Sequence, residues 1–293
     1  QSGHMRVCYR GSDRDAAAME QYAIDAKEYG LSLEYLEAPA LQARFPFLGP
    51  EVMAGSLSAE DGHANPRLVA PAFARAARHH GALVEENTRI VAVAKVGEDF
   101  RVESANQRLF QAPVLVLTTG AWAPELAAQF GEPVPRTSRG PTMSVTEPVS
   151  YGIAPSLGVY TAVKEESVYC RQIPRGNIII GGSSSGPGYP TTGHTRVCPQ
   201  NTLTQLREIR RLAPAVGQLN IIRVWSGTEG YMPDGQPVLG PSEGVSGLFY
   251  GFGFSGSGFQ IGPGVGETLA ELIATGATPV DLSHYRLSRF TFG

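Results

Sequence analysis

Gly247-Leu-Phe-Tyr-Gly-Phe-Gly-Phe-Ser-Gly-Ser-Gly-Phe-Gln-Ile-Gly-Pro-Gly-Val-Gly266, continuing into Glu267-Thr-Leu-Ala-Glu-Leu-Ile-Ala-Thr-Gly276, is the stretch on which the reading of the chain turns. Leu248 to Tyr250 reads as a buried strand and Gly253 to Gly258 as a glycine-rich turn. Val265 to Thr275 reads as a helix with Leu269, Leu272 and Ile273 on one face and Gly276 as its C-cap. A strand, a glycine turn and a helix together bring backbone N–H groups and a positive helix end up to an electron-rich ligand, and glycine is needed where a Cβ would block that approach. Gly251-Phe-Gly-Phe-Ser-Gly256 also satisfies the dinucleotide pattern G-x-G-x-x-G. A dinucleotide unit needs a second strand ending in an acid about 20 residues further on. Ala277 to Gly293 offers no such strand. The turn is therefore read as a second contact to a cofactor whose main site lies elsewhere. The alternative is close helix–strand packing with no ligand.

The 293 residues allow one large domain or two modest ones, and the net charge of −3 without a basic stripe argues against nucleic acid. No apolar run has the length of a membrane helix. Cys8, Cys170 and Cys198 are scattered, odd in number and free of C-x-x-C spacing. That fits a reducing compartment and argues against a disulfide framework or a zinc site. The start, Gln1-Ser-Gly-His-Met5, carries no leading Met, and Arg6 to Tyr9 looks like a strand of a sheet already under way. The expectation is an internal start.

Working outward, Ser12 is placed as the cap of a helix over Asp13 to Tyr29 that Gly30 ends. Asn65 and Pro66 open another helix, closed by Gly81, whose buried face is expected to be Val69, Phe73, Ala76 and Ala77. Leu83 to Glu86, Ile90 to Val96, Phe100 to Glu103 and Arg108 to Gln111 read as a strand and a small β-meander. Val114 to Thr119 reads as a strand buried on both faces, followed by Gly120 and a helix to about Phe130. Arg139 to Thr146, Val159 to Val163, Val168 to Gln172 and Ile178 to Gly182 alternate as antiparallel strands do. Ser183 to Gly193 reads as a loop and Cys198 to Leu212 as a helix; Asn220 to Gly227 reads as a strand. The fold class expected is α/β plus α+β: a discontinuous unit of parallel βα type, incomplete at its front, with an inserted antiparallel sheet. The expected boundaries are 60–130 and 241–293 for the cofactor domain and 1–59 and 131–240 for the substrate domain.

Asp61-Gly-His-Ala-Asn-Pro66, Thr118-Thr-Gly-Ala-Trp122, Arg139-Gly140, Tyr169-Cys-Arg-Gln172, Trp225-Ser-Gly227, Pro233-Asp-Gly-Gln-Pro-Val-Leu-Gly240 and Gly251-Phe-Gly-Phe-Ser-Gly-Ser-Gly-Phe259 follow one another in that order. As a set they resemble the FAD-dependent D-amino-acid oxidase superfamily, closest to its glycine oxidase, sarcosine oxidase β-subunit and opine or hydroxyproline dehydrogenase branch. In that family a dinucleotide fingerprint precedes this region, and the resemblance implies an incomplete Rossmann-like FAD/NAD(P)-binding domain with an inserted antiparallel-sheet substrate domain. The resemblance implies noncovalent FAD, since no Cys lies between Trp225 and Asp234. It places Val91 near the adenine and Gly120 and Trp122 along the cofactor. Gly253, Phe254, Ser255, Gly256, Ser257, Gly258, Phe259 and Gln260 would follow the isoalloxazine edge. A helix N-terminus there would stabilise the negative charge of a reduced flavin.

Two departures bear on the substrate. Ser257 stands where relatives commonly have His, and Glu229-Gly-Tyr231 stands where amino-acid oxidases often carry a carboxylate-clamping Arg. Glu229 either faces a cationic amine or guanidinium or pairs with a nearby Arg. Arg171 is then the expected carboxylate anchor, its alternative being an ordinary sheet salt bridge. Tyr169 and Tyr231 are read as pocket aromatics or core, and His63 as a flavin-facing acid–base group or as part of a turn with Asp61 and Asn65.

The function implied is oxidation of a C–N bond of an amino acid or secondary amine by hydride transfer to flavin. Orientation carries such a reaction, so no catalytic dyad is expected. Electrons would pass to oxygen or to a partner subunit, and the setting would be the bacterial cytoplasm, as a homo-oligomer or with a partner. One alternative is an FAD-free fragment or noncatalytic assembly subunit of a heteromeric dehydrogenase. Another is an α+β binding module using its sheet as a dimer surface.

Overall fold

Val168–Gln172 alternates in burial: Val168, Cys170 and Gln172 are buried, while Tyr169 and Arg171 look out of the opposite face. This strand belongs to the first of two units in the computed structural model, which describes residues 1–189 and 194–290. That unit comprises Gln1–Asn65, Gly140–Pro187 and Thr195–Gly227.

Its mixed sheet runs in the order Thr137–Thr146, Ile178–Gly182, Val168–Gln172, Ser156–Val159, His4–Tyr9, Val52–Ser58, Glu34–Glu37, with Ile221–Ser226 paired to the later residues of Thr137–Thr146. Neighbours are antiparallel except His4–Tyr9 and Ser156–Val159, which run parallel. Met5, Val7, Leu157, Cys170, Ile178 and Ile180 turn one way and meet Ile209 and Leu212 of the helix Pro199–Leu212. The helix Asp13–Asp25 packs Ala16 and Met19 on Cys8 and Ala54. Ser12 occupies its cap position without a side-chain hydrogen bond, the helix being started by backbone contacts to the Ser12 carbonyl instead.

The second unit comprises Pro66–Arg139, Gly188–His194 and Thr228–Gly293. Leu248–Phe252 is its central strand, antiparallel to Val238–Pro241 and parallel to Leu115–Leu117. The expected meander is present as Ile90–Val96, Asp99–Ser104 and Leu109–Ala112. Phe100, Leu117, Val238, Leu248, Tyr250 and Phe252 form the core. A short antiparallel pair, Thr137 to Arg139 against Glu229–Tyr231, also lies here.

Several sequence expectations are corrected. The last helix runs Gly258–Thr275, seven residues longer at its start than the periodicity indicated, because its first two turns are glycine-rich and carry no apolar stripe. Its end, Gly276 at φ 80°, is the left-handed cap expected. The helix Pro66–His79 has no buried residue and Phe73 is 58% exposed, so the expected buried face is at most partly covered. Leu83 to Glu86 is irregular, and Leu83 is 91% exposed. Leu115–Leu117 is only partly buried, because it forms the edge of a three-stranded sheet rather than a sheet interior. Ser156–Val159 replaces the strand placed at Val159 to Val163. Ser185–Tyr189 forms a strand within the expected loop, whose residues 190–193 lie outside the described ones. Among the described residues, no helix is long and apolar enough to cross a membrane and no side-chain cluster could hold a metal ion.

Candidate active site

The glycine turn is built on backbone angles that side chains resist. Gly253 has φ 74° and Gly256 φ 97°; Ser255 between them has φ 51° despite its side chain. A Cβ on Gly253 would meet Met232 Cγ at 2.6 Å, so this position must be glycine to seat the following turn. Ser255 is held by three contacts: its N–H donates to the Gly230 carbonyl at 3.3 Å, its Oγ accepts from the Met232 N–H at 3.1 Å, and its hydroxyl donates to the Gly253 carbonyl at 3.2 Å. Phe254 bridges Tyr231 through the backbone. The turn is thus tied to Gly230, Tyr231 and Met232 through the adjacent residues Phe254 and Ser255, which offsets the strain of Ser255.

Beyond the turn, Ser257 caps the long helix without a side-chain hydrogen bond, and the first helical turn has no acidic residue. Its leading N–H groups and its positive end are left for an acceptor. Gly258, Phe259 and Gln260 form that first turn, and Phe259 is 51% exposed.

On the strand beside the turn, Tyr231 Oη donates to Glu229 Oε2 at 2.9 Å. The added Cβ of a residue at 256 would lie 3.6 Å from Tyr231 Oη and 3.9 Å from Glu229 Oε2, so both groups border the turn. Among the described residues Glu229 has no ion-pair partner. Its strand partner Arg139 instead lies over the Tyr231 ring, 4.7 Å from the centroid. Arg136, under Gly230, is buried; its guanidinium donates to Ser138 Oγ and sits 3.5 Å from Glu125, and desolvation pulls its pKa down.

Gly120 starts the short turn Gly120–Trp122 with φ 54°, and a Cβ there would meet nothing within 4 Å. Thr119 Oγ1 and Thr228 Oγ1, at the ends of neighbouring segments, are buried with no hydrogen-bond partner among the described residues. Trp122 is 46% exposed. Val91 lies on the meander strand Ile90–Val96 and is likewise exposed.

The remaining expected residues lie in the other unit. Tyr169 spreads its ring across Gly181, where any Cβ would overlap it, and its hydroxyl lies 3.3 Å from Met143 Sδ. Arg171 shares that open sheet face and has no ion-pair partner among the described residues. His63 approaches Ser2 Oγ through Nδ1 at 3.3 Å; burial first and the Arg171 charge second lower its pKa. The structure therefore joins Glu229, Tyr231, Ser255 and Gly256 into one cluster, while His63 lies within range of the Arg171 charge in the other unit. Arg139 was visible in the sequence only as a motif letter, because its role depends on a strand pairing with a partner 90 residues away in the chain.

Residues 1–272 match the family profile described as FAD dependent oxidoreductase. The glycine oxidase of Geobacillus kaustophilus is 30% identical over 257 residues, which are 83% of this chain and 62% of that protein. The hydrogen cyanide synthase subunit HcnC of Pseudomonas protegens is 28% identical over 260 residues, 88% of this chain and 60% of that protein. Among solved structures, L-proline dehydrogenase from P. horikoshii superimposes with a TM-score of 0.90 at 26% identity, covering 99% of this chain and 76% of that one. The chain spans 34% of the 4-methylaminobutanoate oxidase of Paenarthrobacter nicotinovorans and 60% of HcnC, so it corresponds to part of the length of these curated relatives.

Proposed function

Because the chain belongs to the FAD dependent oxidoreductase family, we propose that it oxidises a C–N bond of an amino acid or secondary amine with noncovalently held FAD. The observation that carries this reading is the Gly253–Gly258 turn, which opens an uncapped, acid-free helix N-terminus beside a carboxylate and a phenol. Three features suit the group: the open face over Gly120, the orphaned hydroxyls of Thr119 and Thr228, and the free N–H groups at the helix start. Bound FAD supplies a two-electron acceptor for the substrate's α-hydrogen. The start of the helix Gly258–Thr275 would favour negative charge on a group held against it. Gly120, Trp122 and the residues from Gly253 to Gln260 would line the cofactor, with Val91 towards the adenine. We assign the cofactor to residues 60–130 and 241–293 and the substrate sheet to residues 1–59 and 131–240.

On the substrate side, the candidate contacts are Glu229 and Tyr231 in one unit and His63 and Tyr169 in the other, each taken within its own unit. The carboxylate anchor is one of the guanidiniums without an ion-pair partner, Arg171 or Arg139. The relatives named as subunits support a partner protein as one destination of the electrons, oxygen being the other. The free cysteines support a reducing compartment such as the bacterial cytoplasm.

The test is a visible spectrum of the purified protein, followed by anaerobic addition of D-amino acids, sarcosine and opines. Flavin bands that bleach with one of these are expected. A protein that stays colourless after incubation with FAD would overturn the reading and favour the noncatalytic assembly subunit.

A further inference from the structure

Arg136 is the most deeply buried of the ion-paired arginines among the described residues, with 8% of its side chain exposed. Its guanidinium donates to Ser138 Oγ and stands 3.5 Å from Glu125 Oε1, while its Nε is buried with no hydrogen-bond partner among the described residues. The ion pair is lopsided. Glu125 is 48% exposed, so water screens its charge, whereas the arginine has given up its hydration. A half-solvated carboxylate neutralises such a cation incompletely, and a net positive charge is left inside this unit. An unsatisfied buried N–H on a charged group is costly, so its presence calls for a physical reason.

The surroundings of Arg136 supply one. A Cβ on Gly230 would meet Arg136 Cδ at 3.0 Å and Ala121 Cα at 3.5 Å. The arginine stem therefore lies against the strand Glu229–Tyr231, where that strand packs on the turn Gly120–Trp122. The Gly230 carbonyl receives the Ser255 N–H and so anchors the glycine turn. Thr119 and Thr228, which precede the same two segments, carry the orphaned hydroxyls. The charge is thus seated behind segments proposed to line the cofactor.

We propose that Arg136 is a fixed positive charge that makes bound flavin a stronger electron acceptor. It is a positioning charge and not a catalytic residue. A hydride leaving the substrate's α-carbon carries two electrons and a proton, so the flavin gains one negative charge while the amine becomes an iminium ion. A buried cation stabilises the reduced ring over the neutral oxidised one. The helix start at Gly258 contributes the same sign through partial charges, and Arg136 adds a full charge that burial protects from salt. The inference rests on the flavin-dependent reading of the same unit.

The test is the reduction equilibrium of bound FAD, read against a reference dye during anaerobic dithionite titration of the FAD-loaded protein and its variants. Arg136→Met removes the charge and keeps most of the stem. Its equilibrium should shift about 10-fold or more towards oxidised flavin, which is about 30 mV for each tenfold in a two-electron couple. Arg136→Lys keeps the charge and should stay within about threefold of the unaltered protein. Glu125→Gln removes the carboxylate that opposes the guanidinium and should shift the equilibrium about two- to fivefold towards reduced flavin. An arginine with a purely structural role would lower the melting temperature in both Arg136 variants and move the equilibrium in neither, and that result would overturn the inference. If Arg136→Met does not fold, Glu125→Gln decides at a half-exposed position: no shift, or a shift towards oxidised flavin, overturns the inference. A yellow protein that amines reduce, with one equilibrium shared by all variants, removes this inference alone. A protein that stays colourless after incubation with FAD removes the functional reading and this inference together.

Discussion

Tyr231 donates its phenol hydrogen bond to Glu229 at 2.9 Å, and both groups border Gly256 in the neighbouring turn. The cluster exists because three chain segments meet: the strand Glu229–Tyr231, its partner carrying Arg139, and the turn whose Ser255 grips the Gly230 and Met232 backbone.

Gly256→Ala tests how much the site depends on that turn. Its φ of 97° is one that L side chains rarely adopt, so the substitution should cost about 1–2 kcal/mol of stability. The added methyl also comes into van der Waals contact with Tyr231 Oη and Glu229 Oε2, at 3.6 and 3.9 Å. Anaerobic flavin reduction by an amine should fall by more than the melting temperature suggests, and a variant reduced at the original rate would show that the clearance is not used.

Gln172 is a buried amide that ties two loops together. Its Oε1 accepts from the Gly152 and Ile153 N–H groups at 2.8 and 2.9 Å, and its Nε2 donates to the Ser150 and Gly176 carbonyls at 3.0 and 3.1 Å. Gln172→Ala orphans these backbone groups and should lower unfolding free energy by about 3 kcal/mol in urea titration. A loss below 1 kcal/mol, on the order expected of a surface change, would mean that water replaces the amide.

Arg211 joins three acids and a ring: Glu166 at 2.6 Å, Glu51 at 2.7 Å, Glu208 at 3.6 Å, and the Tyr9 ring centroid 3.8 Å from its guanidinium carbon. Arg211→Lys keeps the charge but loses the planar fork and the stacking surface. It should destabilise the protein by about 1–2 kcal/mol, and equal urea midpoints for the two proteins would show that charge alone suffices.

Stability should also fall on mild acidification. Burial is the main cause that lowers the pKa of both His4 and His63 from the usual 6.5; Arg6 adds to it at His4, where Asp61 opposes, and Arg171 adds to it at His63. The unfolded chain therefore takes up protons first. Their contribution is intact above pH 6.5, declines as the pH drops below 6.5, and levels off below the folded-state values. Urea midpoints at pH 7.5 and 5.5 should differ less in a His4→Gln, His63→Gln double variant than in the unaltered protein. An unchanged difference would place the titration elsewhere.

Local patterns were legible wherever chain neighbours decide the structure. The alternation of Val168 to Gln172, the Asn65-Pro66 helix start and the Gly276 cap all follow from spacing and backbone freedom. The same logic missed the true start of the last helix, because Gly262, Gly264 and Gly266 give no apolar period to read. It also assigned Phe73 to a buried face, since periodicity shows which side of a helix is apolar and not whether anything covers it.

By itself the sequence determined the strand–glycine turn–helix unit and the family-wide motif set, because both depend on residue types at short spacing. Only the tertiary structure decided how the charges are arranged. Whether Glu229 pairs with an arginine, and which one lies nearest, depends on a strand register between residues 137–139 and 229–231. On the rotamers adopted there, Arg139 stacks on Tyr231 and leaves the Glu229 carboxylate to the phenol. Such contacts join residues far apart in the chain, and no local spacing specifies them.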